Sequence, residues 1–167
     1  SYEWFCYGEA GTFTTSSART GQPVVINDHN RPKAWFEVPV KRVLRSGTDH
    51  QYIYLSELQG DRVFPIMIGN SEANEIHRVI HNQGAARPLT HQLAHDLVQS
   101  LGGTIKSVDI TGLRENTFFA QISILTGNDQ EEVRLDARPS DAIALALRSR
   151  APLRVADEVF DLAADME

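Results

Sequence analysis

Leu135-Asp136-Ala137-Arg138-Pro139-Ser140-Asp141-Ala142-Ile143-Ala144-Leu145-Ala146-Leu147-Arg148 changes its hydrophobic period partway along. Up to Leu135 the apolar residues alternate, with Val133 and Leu135 on one face and Arg134 and Asp136 on the other, as in a half-buried strand. Beyond Pro139 they recur at helical spacing, and a proline suits the first turn of a helix, where its missing N–H is not needed. The strand-to-helix junction gathers Asp136, Arg138 and Asp141. Two readings compete there. In one, Ser140 caps the helix by accepting amide hydrogen bonds, the helix dipole favours Asp141, and Arg138 pairs with a neighbouring carboxylate. In the other, Asp136 and Asp141 hold a divalent ion while Arg138 grips a phosphate.

Working outward, Ile105, Val108 and Ile110 mark a strand, Phe118-Phe119-Ala120-Gln121-Ile122-Ser123-Ile124 a second, and Val133 with Leu135 a third after the turn at Gly127-Asn128-Asp129. A last helix runs from about Ala156 through Val159, Phe160 and Leu162. The first half follows the same order. Phe36, Val38 and Val40 alternate, Tyr52-Ile53-Tyr54-Leu55 follows the turn at Ser46-Gly47, and Val63, Phe64, Ile66 and Ile68 form a third strand in which Pro65 points to an edge or a bulge. Gly69-Asn70-Ser71 opens a helix with Ala73, Ile76, Val79 and Ile80 on one face. Arg87-Pro88-Leu89-Thr90 starts another, with Leu93, Leu97 and Leu101 as its buried stripe and Gly102-Gly103 as its stop. A constant offset superposes Ser71-Glu72-Ala73 on Ser140-Asp141-Ala142 and Phe64/Ile66 on Val133/Leu135. The pattern predicts an α+β fold built from two units of three strands and two helices. Residues 1–34 are rich in Gly, Ser, Thr and Asn, and Asn27-Asp28-His29-Asn30-Arg31-Pro32 reads as a turn or linker. They are expected to form an appendage to a main domain at 35–167.

The 167 residues suit one domain with a real core, and the hydrophobic share of 41% and charged share of 23% are those of an ordinary globular protein. No apolar run approaches a membrane span, and Cys6 is the lone cysteine, so a reducing, cytoplasmic setting is expected. The net charge of −6 argues against a passive nucleic-acid binder, which would show a basic surface. It leaves open an enzyme acting on nucleic acid, since carboxylates can hold a divalent ion such as Mg²⁺ or Mn²⁺ that inverts the local field. Lys41, Arg42 and Arg45, and separately Arg148, Arg150 and Arg154, are candidate basic patches.

Glu72 falls near the apolar stripe of its helix and therefore needs a partner, for which Arg87 and Arg138 are candidates. Such a pair is either a site element or a structural tie between the two units. His77 and His81, and likewise His91 and His95, are four residues apart on helices, the spacing of two zinc ligands, although no third ligand is specified. Ser140 lacks a nucleophile elbow, and no glycine-rich phosphate loop follows a strand, so neither serine hydrolysis nor nucleoside triphosphate chemistry is expected.

Three segments resemble the bifunctional nuclease family, whose members are described as cleaving both DNA and RNA. They are Phe64-Pro65-Ile66-Met67-Ile68-Gly69 with Ser71-Glu72-Ala73; Arg87-Pro88-Leu89-Thr90-His91 with His95-Asp96-Leu97; and Arg138-Pro139-Ser140-Asp141-Ala142-Ile143-Ala144-Leu145-Ala146, completed by Ala151-Pro152-Leu153 and Val155. The resemblance spans roughly Phe36 to Phe160, and residues 1–34 have no counterpart in it. Gln92 stands where the family pattern usually has an aspartate, with Asp96 one turn later. The resemblance implies a duplicated architecture with a barrel-like mixed sheet and helices packed on it, a homodimer, and nuclease activity. The expected site is Asp136, Asp141 and Glu72 for metal or water, Arg138 and Arg87 for phosphate, and His91 as acid or base for the leaving oxygen. The competing expectations are a non-catalytic dimeric interaction module whose motifs maintain the fold, and a zinc-binding regulatory domain.

Overall fold

The computed structural model describes residues 51–57, 60–127 and 131–165 in full, together with the backbone of four strands at 3–6, 24–28, 31–37 and 40–45. Two sheets and four helices result. Strands β1 (Glu3–Cys6), β4 (Val40–Arg45), β5 (Gln51–Ser56) and β6 (Val63–Ile68) form an antiparallel sheet in the order β1-β4-β5-β6. The second sheet joins β2 (Val24–Asp28), β3 (Arg31–Glu37), β7 (Thr104–Arg114), β8 (Thr117–Thr126), β9 (Glu131–Ala137) and β10 (Leu153–Ala156), in the order β2-β3-β10-β7-β8-β9. Its pairs are antiparallel except β10 with β7. The meander β4-β5-β6 leads into α1 (Asn70–Ile80) and then α2 (Thr90–Ser100); β7-β8-β9 leads into α3 (Pro139–Ser149), then β10 and α4 (Asp157–Ala164). Among the described residues both sheets are open, and the strands close no barrel.

The core lies where the sheets and helices face each other. Phe64, Ile66 and Ile68 point inward from β6 while Val63, Pro65 and Met67 point out, the alternation of a strand with one wet face. β6 is an edge strand, so Pro65 has no second neighbour to which an amide hydrogen could be donated. Phe64 is the hub, with ring centroids 5.4 Å from Phe118 of β8 and 5.2 Å from Phe160 of α4. Ile53, Leu55, Ile76, Val108, Ile110, Ile143, Val155 and Val159 are fully buried around it. Arg62 ties the entry of β6 to α4: it bonds Glu57, reaches Asp157 Oδ1 at 2.7 Å and Asp161 Oδ1 at 2.9 Å, and lies 4.8 Å over the Phe160 ring. The hydrogen bond to Glu57, foremost among these carboxylate contacts, raises the Arg62 pKa above its ordinary value against the opposing effect of burial. No helix among the described residues is long and apolar enough to cross a membrane.

Several expectations meet a different outcome. The alternation across Phe36–Val40 is two strands rather than one: β3 ends at Glu37 and β4 begins at Val40, in different sheets, with Pro39 between them in the sequence. β10 escapes the hydrophobic pattern because four residues carry too little periodicity, yet it joins β3 to β7. Arg148 and Arg154 make no basic patch. Arg148 binds the buried Glu75, and Arg154 grips Asp109 through two bonds of 2.6 and 2.8 Å. Lys41, Arg42 and Arg45, and the appendage's residues outside the four strands, lie outside what the structure describes in side-chain detail.

Replacing Phe64 by alanine removes a side chain that touches both β8 and α4, and is expected to cost about 3–5 kcal/mol of folding free energy. Urea denaturation of the two proteins checks this; a loss under about 1 kcal/mol would show that Phe64 is not the hub.

Candidate functional site

The first turns of three helices converge through four side chains. Glu72 and Asp141 each occupy the third position of their helix, α1 and α3, and His91 the second position of α2. Arg138 immediately precedes α3. Arg138 donates from Nε to Asp141 Oδ2 at 2.7 Å and from Nη2 to Glu72 Oε1 at 2.8 Å. His91 Nε2 lies 2.9 Å from Asp141 Oδ1. A carboxylate oxygen accepts only, so Nε2 carries the hydrogen and the neutral ring keeps Nδ1 as its basic atom. The side chains of Glu72, His91 and Asp141 are 13%, 14% and 29% exposed, whereas Arg138 is 69% exposed. The guanidinium is therefore the group of the cluster that solvent or a ligand meets first.

The local sequence builds this in three ways. Gly69 precedes α1, and a Cβ there would sit 2.5 Å from Glu72 Oε2, so glycine makes the room into which the Glu72 carboxylate folds back. Pro139 starts α3 without an orphan amide and sets Arg138 in extended backbone, φ −68° and ψ 142°. None of the residues preceding the three helices, Gly69, Leu89 and Arg138, caps its helix with a side-chain hydrogen bond. The competition at the junction is thereby decided in part. Ser140 is buried at the second helical position and is not the cap, while Asp141 gives its oxygens to Arg138 and His91.

Burial pushes the Asp141 carboxyl up, but the hydrogen bonds from Arg138 and His91 outweigh it and hold its pKa below the ordinary aspartate value. The same bond to Asp141, and then the one to Glu72, raises the Arg138 pKa. Arg87 is exposed on the segment entering α2, and no described residue pairs with it.

Asp136 does not join the cluster. On β9 it stands opposite Gln121, whereas Leu135, itself half-exposed, stands opposite the buried Ile122 on the other face. Strand parity, already readable in the sequence, sends Asp136 to the other side of the sheet. Nor do the residues fit a divalent ion. Among the described residues no three His, Cys, Asp or Glu side chains are grouped to hold a metal. Between Glu72 and Asp141, where a cation would bridge, the Arg138 guanidinium already supplies the positive charge. The paired histidines also serve other ends: the His77 and His81 rings stack at 4.1 Å with His81 Nδ1 donating to the His77 carbonyl, and His95 Nδ1 lies 3.6 Å from Asp96 Oδ1. Sequence reasoning paired Glu72 with Arg138 as one of two options but missed the His91–Asp141 bond, because residues 50 apart carry no local signal.

Comparison with known proteins bears on this arrangement. The bifunctional nuclease domain model matches residues 53–166, more than half of the chain, and includes all four side chains. The chain belongs to that family. An uncharacterized protein of Mycobacterium tuberculosis is 41% identical over 110 residues, covering 65% of this chain and 63% of that one. Bifunctional nuclease 1 of Oryza sativa subsp. indica is 26% identical over 114 residues, 67% of this chain and 34% of the rice protein. Bifunctional nuclease 1 of Arabidopsis thaliana is 31% identical over 94 residues, 56% of this chain and 29% of the plant protein. The match thus spans less than two thirds of each of these relatives.

Two substitutions probe the geometry. Because the folded Asp141 pKa lies below its unfolded value near 4, its stabilisation is present in full above about pH 5 and is lost as pH falls through the folded value. Asp141→Asn is expected to cost about 1 kcal/mol at pH 7, with the gap to wild type closing as the pH falls below about 4, as urea melts at several pH values will show. Gly69→Ala is expected to displace the Glu72 carboxylate without unfolding α1, so a crystal structure of that variant should show the Arg138–Glu72 bond broken.

Proposed function

We propose that this chain is a hydrolase that cuts phosphodiester bonds of DNA and RNA at the Glu72–Arg138–Asp141–His91 cluster. The bond between His91 Nε2 and Asp141 Oδ1, beside the open Arg138 guanidinium, is the observation that carries this reading. DNA has no 2′-hydroxyl, so a single mechanism for both polymers cannot take its nucleophile from the substrate, and we assign that part to water. Nδ1 of His91 is the atom suited to take a proton from that water, or to give one to the leaving oxygen, while Asp141 fixes the tautomer and steadies the imidazolium. Arg138 supplies positive charge for the phosphoryl oxygens, with Glu72 holding its plane and Arg87 offering a second phosphate contact. The uncapped first turns add N–H groups and the positive ends of three helix dipoles. The names of the plant relatives and the family support the substrate class. The proposal includes a homodimer and a cytoplasmic setting away from membranes, and the single cysteine suits a reducing compartment. The domain is taken as residues 35–167.

A second reading has one observation in its favour. Arg138 is already engaged by two carboxylates, as it would be in a non-catalytic interaction module that uses the cluster to hold three helices together.

An assay on single-stranded DNA and RNA, with and without chelator, separates these. Purified protein is expected to cleave both; His91→Ala and Asp141→Ala should each lower the rate by about 100-fold or more while far-UV circular dichroism stays native. Arg138→Ala should chiefly raise KM, and Asp136→Ala should leave cleavage intact. Cleavage that survives in the His91→Ala, Asp141→Ala double variant sinks the site, and a wild-type protein inert towards both polymers favours the module.

A further inference from the structure

α1 carries a second group of polar side chains, towards the end away from Glu72. Asn74, His77 and Arg78 of the helix, with Gln83 and Gly84 of the segment that follows it, line an open pocket of about 670 Å³. That volume is ample for a small polar ligand. Among the described residues no carboxylate lines the pocket. Arg78 is half-buried there and has no carboxylate partner among the described residues, whereas Arg62, Arg148 and Arg154 are all held by carboxylates of the chain. A guanidinium without an internal anion suits a phosphate from outside. The carbonyls at a helix C-terminus normally repel such a group. Here those of His77, Arg78 and Val79 already accept from the N–H groups of His81, Gln83 and Asn82, and His81 Nδ1 donates to the His77 carbonyl as well.

The other lining side chains match the rest of a nucleotide. The His77 ring is stacked on that of His81, 4.1 Å between centroids and 26° between planes, which gives the pocket an aromatic wall of the kind that meets a base. Asn74 and Gln83 are exposed carboxamides, each with a donor and an acceptor, the pair that reads a base edge. Only an unpaired base can reach an aromatic ring and a carboxamide together, so these features select a single strand over a duplex.

Placement connects the pocket to the cluster. Arg78 follows Glu72 by six residues, which sets it about 9 Å farther along α1 and on a different face. That rise equals roughly two to three nucleotide steps of about 3.4 Å. Residues 81–89 then lead from the pocket back to the first turn of α2, where His91 joins Asp141. The exposed Arg87 stands on that returning segment, between pocket and cluster in the chain.

We infer that the pocket of Asn74, His77, Arg78 and Gln83 is a subsite for one nucleotide of a single strand whose scissile bond lies at the cluster. Arg78 takes the phosphate, His77 backs the base and the carboxamides meet its edge, with Arg87 along the path between. This subsite rests on the phosphodiester-cleaving reading above and adds to it a selection for single-stranded substrate.

Adenosine 5′-monophosphate contains no phosphodiester bond, so it probes the pocket whether or not the protein cleaves. In an amide NMR titration of the full chain it is expected to shift resonances of residues 74–84. Arg78→Ala should weaken its binding at least about tenfold with unchanged far-UV circular dichroism, adenosine without phosphate should bind comparably more weakly to wild type, and Arg114→Ala on β7 should change nothing. In fluorescence anisotropy with the His91→Ala protein, a single-stranded octanucleotide should bind at least about tenfold tighter than a dinucleotide or than the same octanucleotide in duplex, and Arg78→Ala should remove that gain. Shifts confined to the surroundings of Arg138, or binding untouched by Arg78→Ala, overturn the subsite and leave the proposed chemistry standing. A pocket that binds the nucleotide while single strand and duplex bind alike overturns the selection. Binding as expected by a wild-type protein that cuts neither polymer upholds the subsite and overturns the cleavage.

Discussion

Asp141 carries a carboxylate largely withdrawn from water, and such a group stays ionised only where donors replace the lost hydration. Two donors do so from different directions. Arg138 reaches it from the residue that starts the same helix, and His91 from the first turn of α2. Arg138 then extends the link to Glu72 on α1. Three helix starts, each with the positive end of a dipole, would repel one another if brought together bare; Asp141 and Glu72 balance them. The relative placement of α1, α2 and α3 at this end of the molecule follows from that balance.

Much of this was legible in the chain. The period change at Pro139, the alternation of Phe64, Ile66 and Ile68, and the edge position of Pro65 are local facts, and they translated directly into α3, an inward-facing β6 and a sheet edge. The need of Glu72 for a cation also showed, since a carboxylate beside an apolar stripe requires one. What failed did so for two physical reasons. Long-range hydrogen bonds leave no periodic trace, so the His91–Asp141 pair was invisible. Hydrophobic periodicity reports which face of a helix is apolar but not whether that face meets its own core, so the α2 leucines were placed inside when they stand outside. Asp136 is a different case: the alternation of β9 puts it on the face opposite Leu135, although it is only two residues from Arg138 in sequence.

The distribution of cations is as informative as the net charge. Arg62, Arg148 and Arg154, together with Lys106 and Arg134 around Glu132, are engaged by carboxylates of the same chain. The hydrogen bond from Lys106, then that from Arg134, outweighs burial and brings the Glu132 pKa down to about 2, so this tie between β7 and β9 persists well into acid. Arg87 and Arg138 are both exposed, Arg87 on the segment entering α2 and Arg138 in the cluster. Were the proposed polyanionic substrate to bind at the cluster, the exposed Arg138 guanidinium on a chain of net charge −6 would attract it locally rather than through a broad field.

β10 is four residues long, yet it lies between β3 and β7 and pairs Trp35, Phe36 and Glu37 with Ala156, Val155 and Arg154. The six-stranded sheet is therefore stitched across nearly the whole span from Trp35 to Ala156. During synthesis β3 must wait, without its sheet neighbour, until the last strand has left the ribosome. Such long-range closure slows folding, since the entropy of the intervening loop is lost before the ladder forms. A chain that stops short of Leu153 would leave β2 and β3 as an unattached ribbon with an open edge.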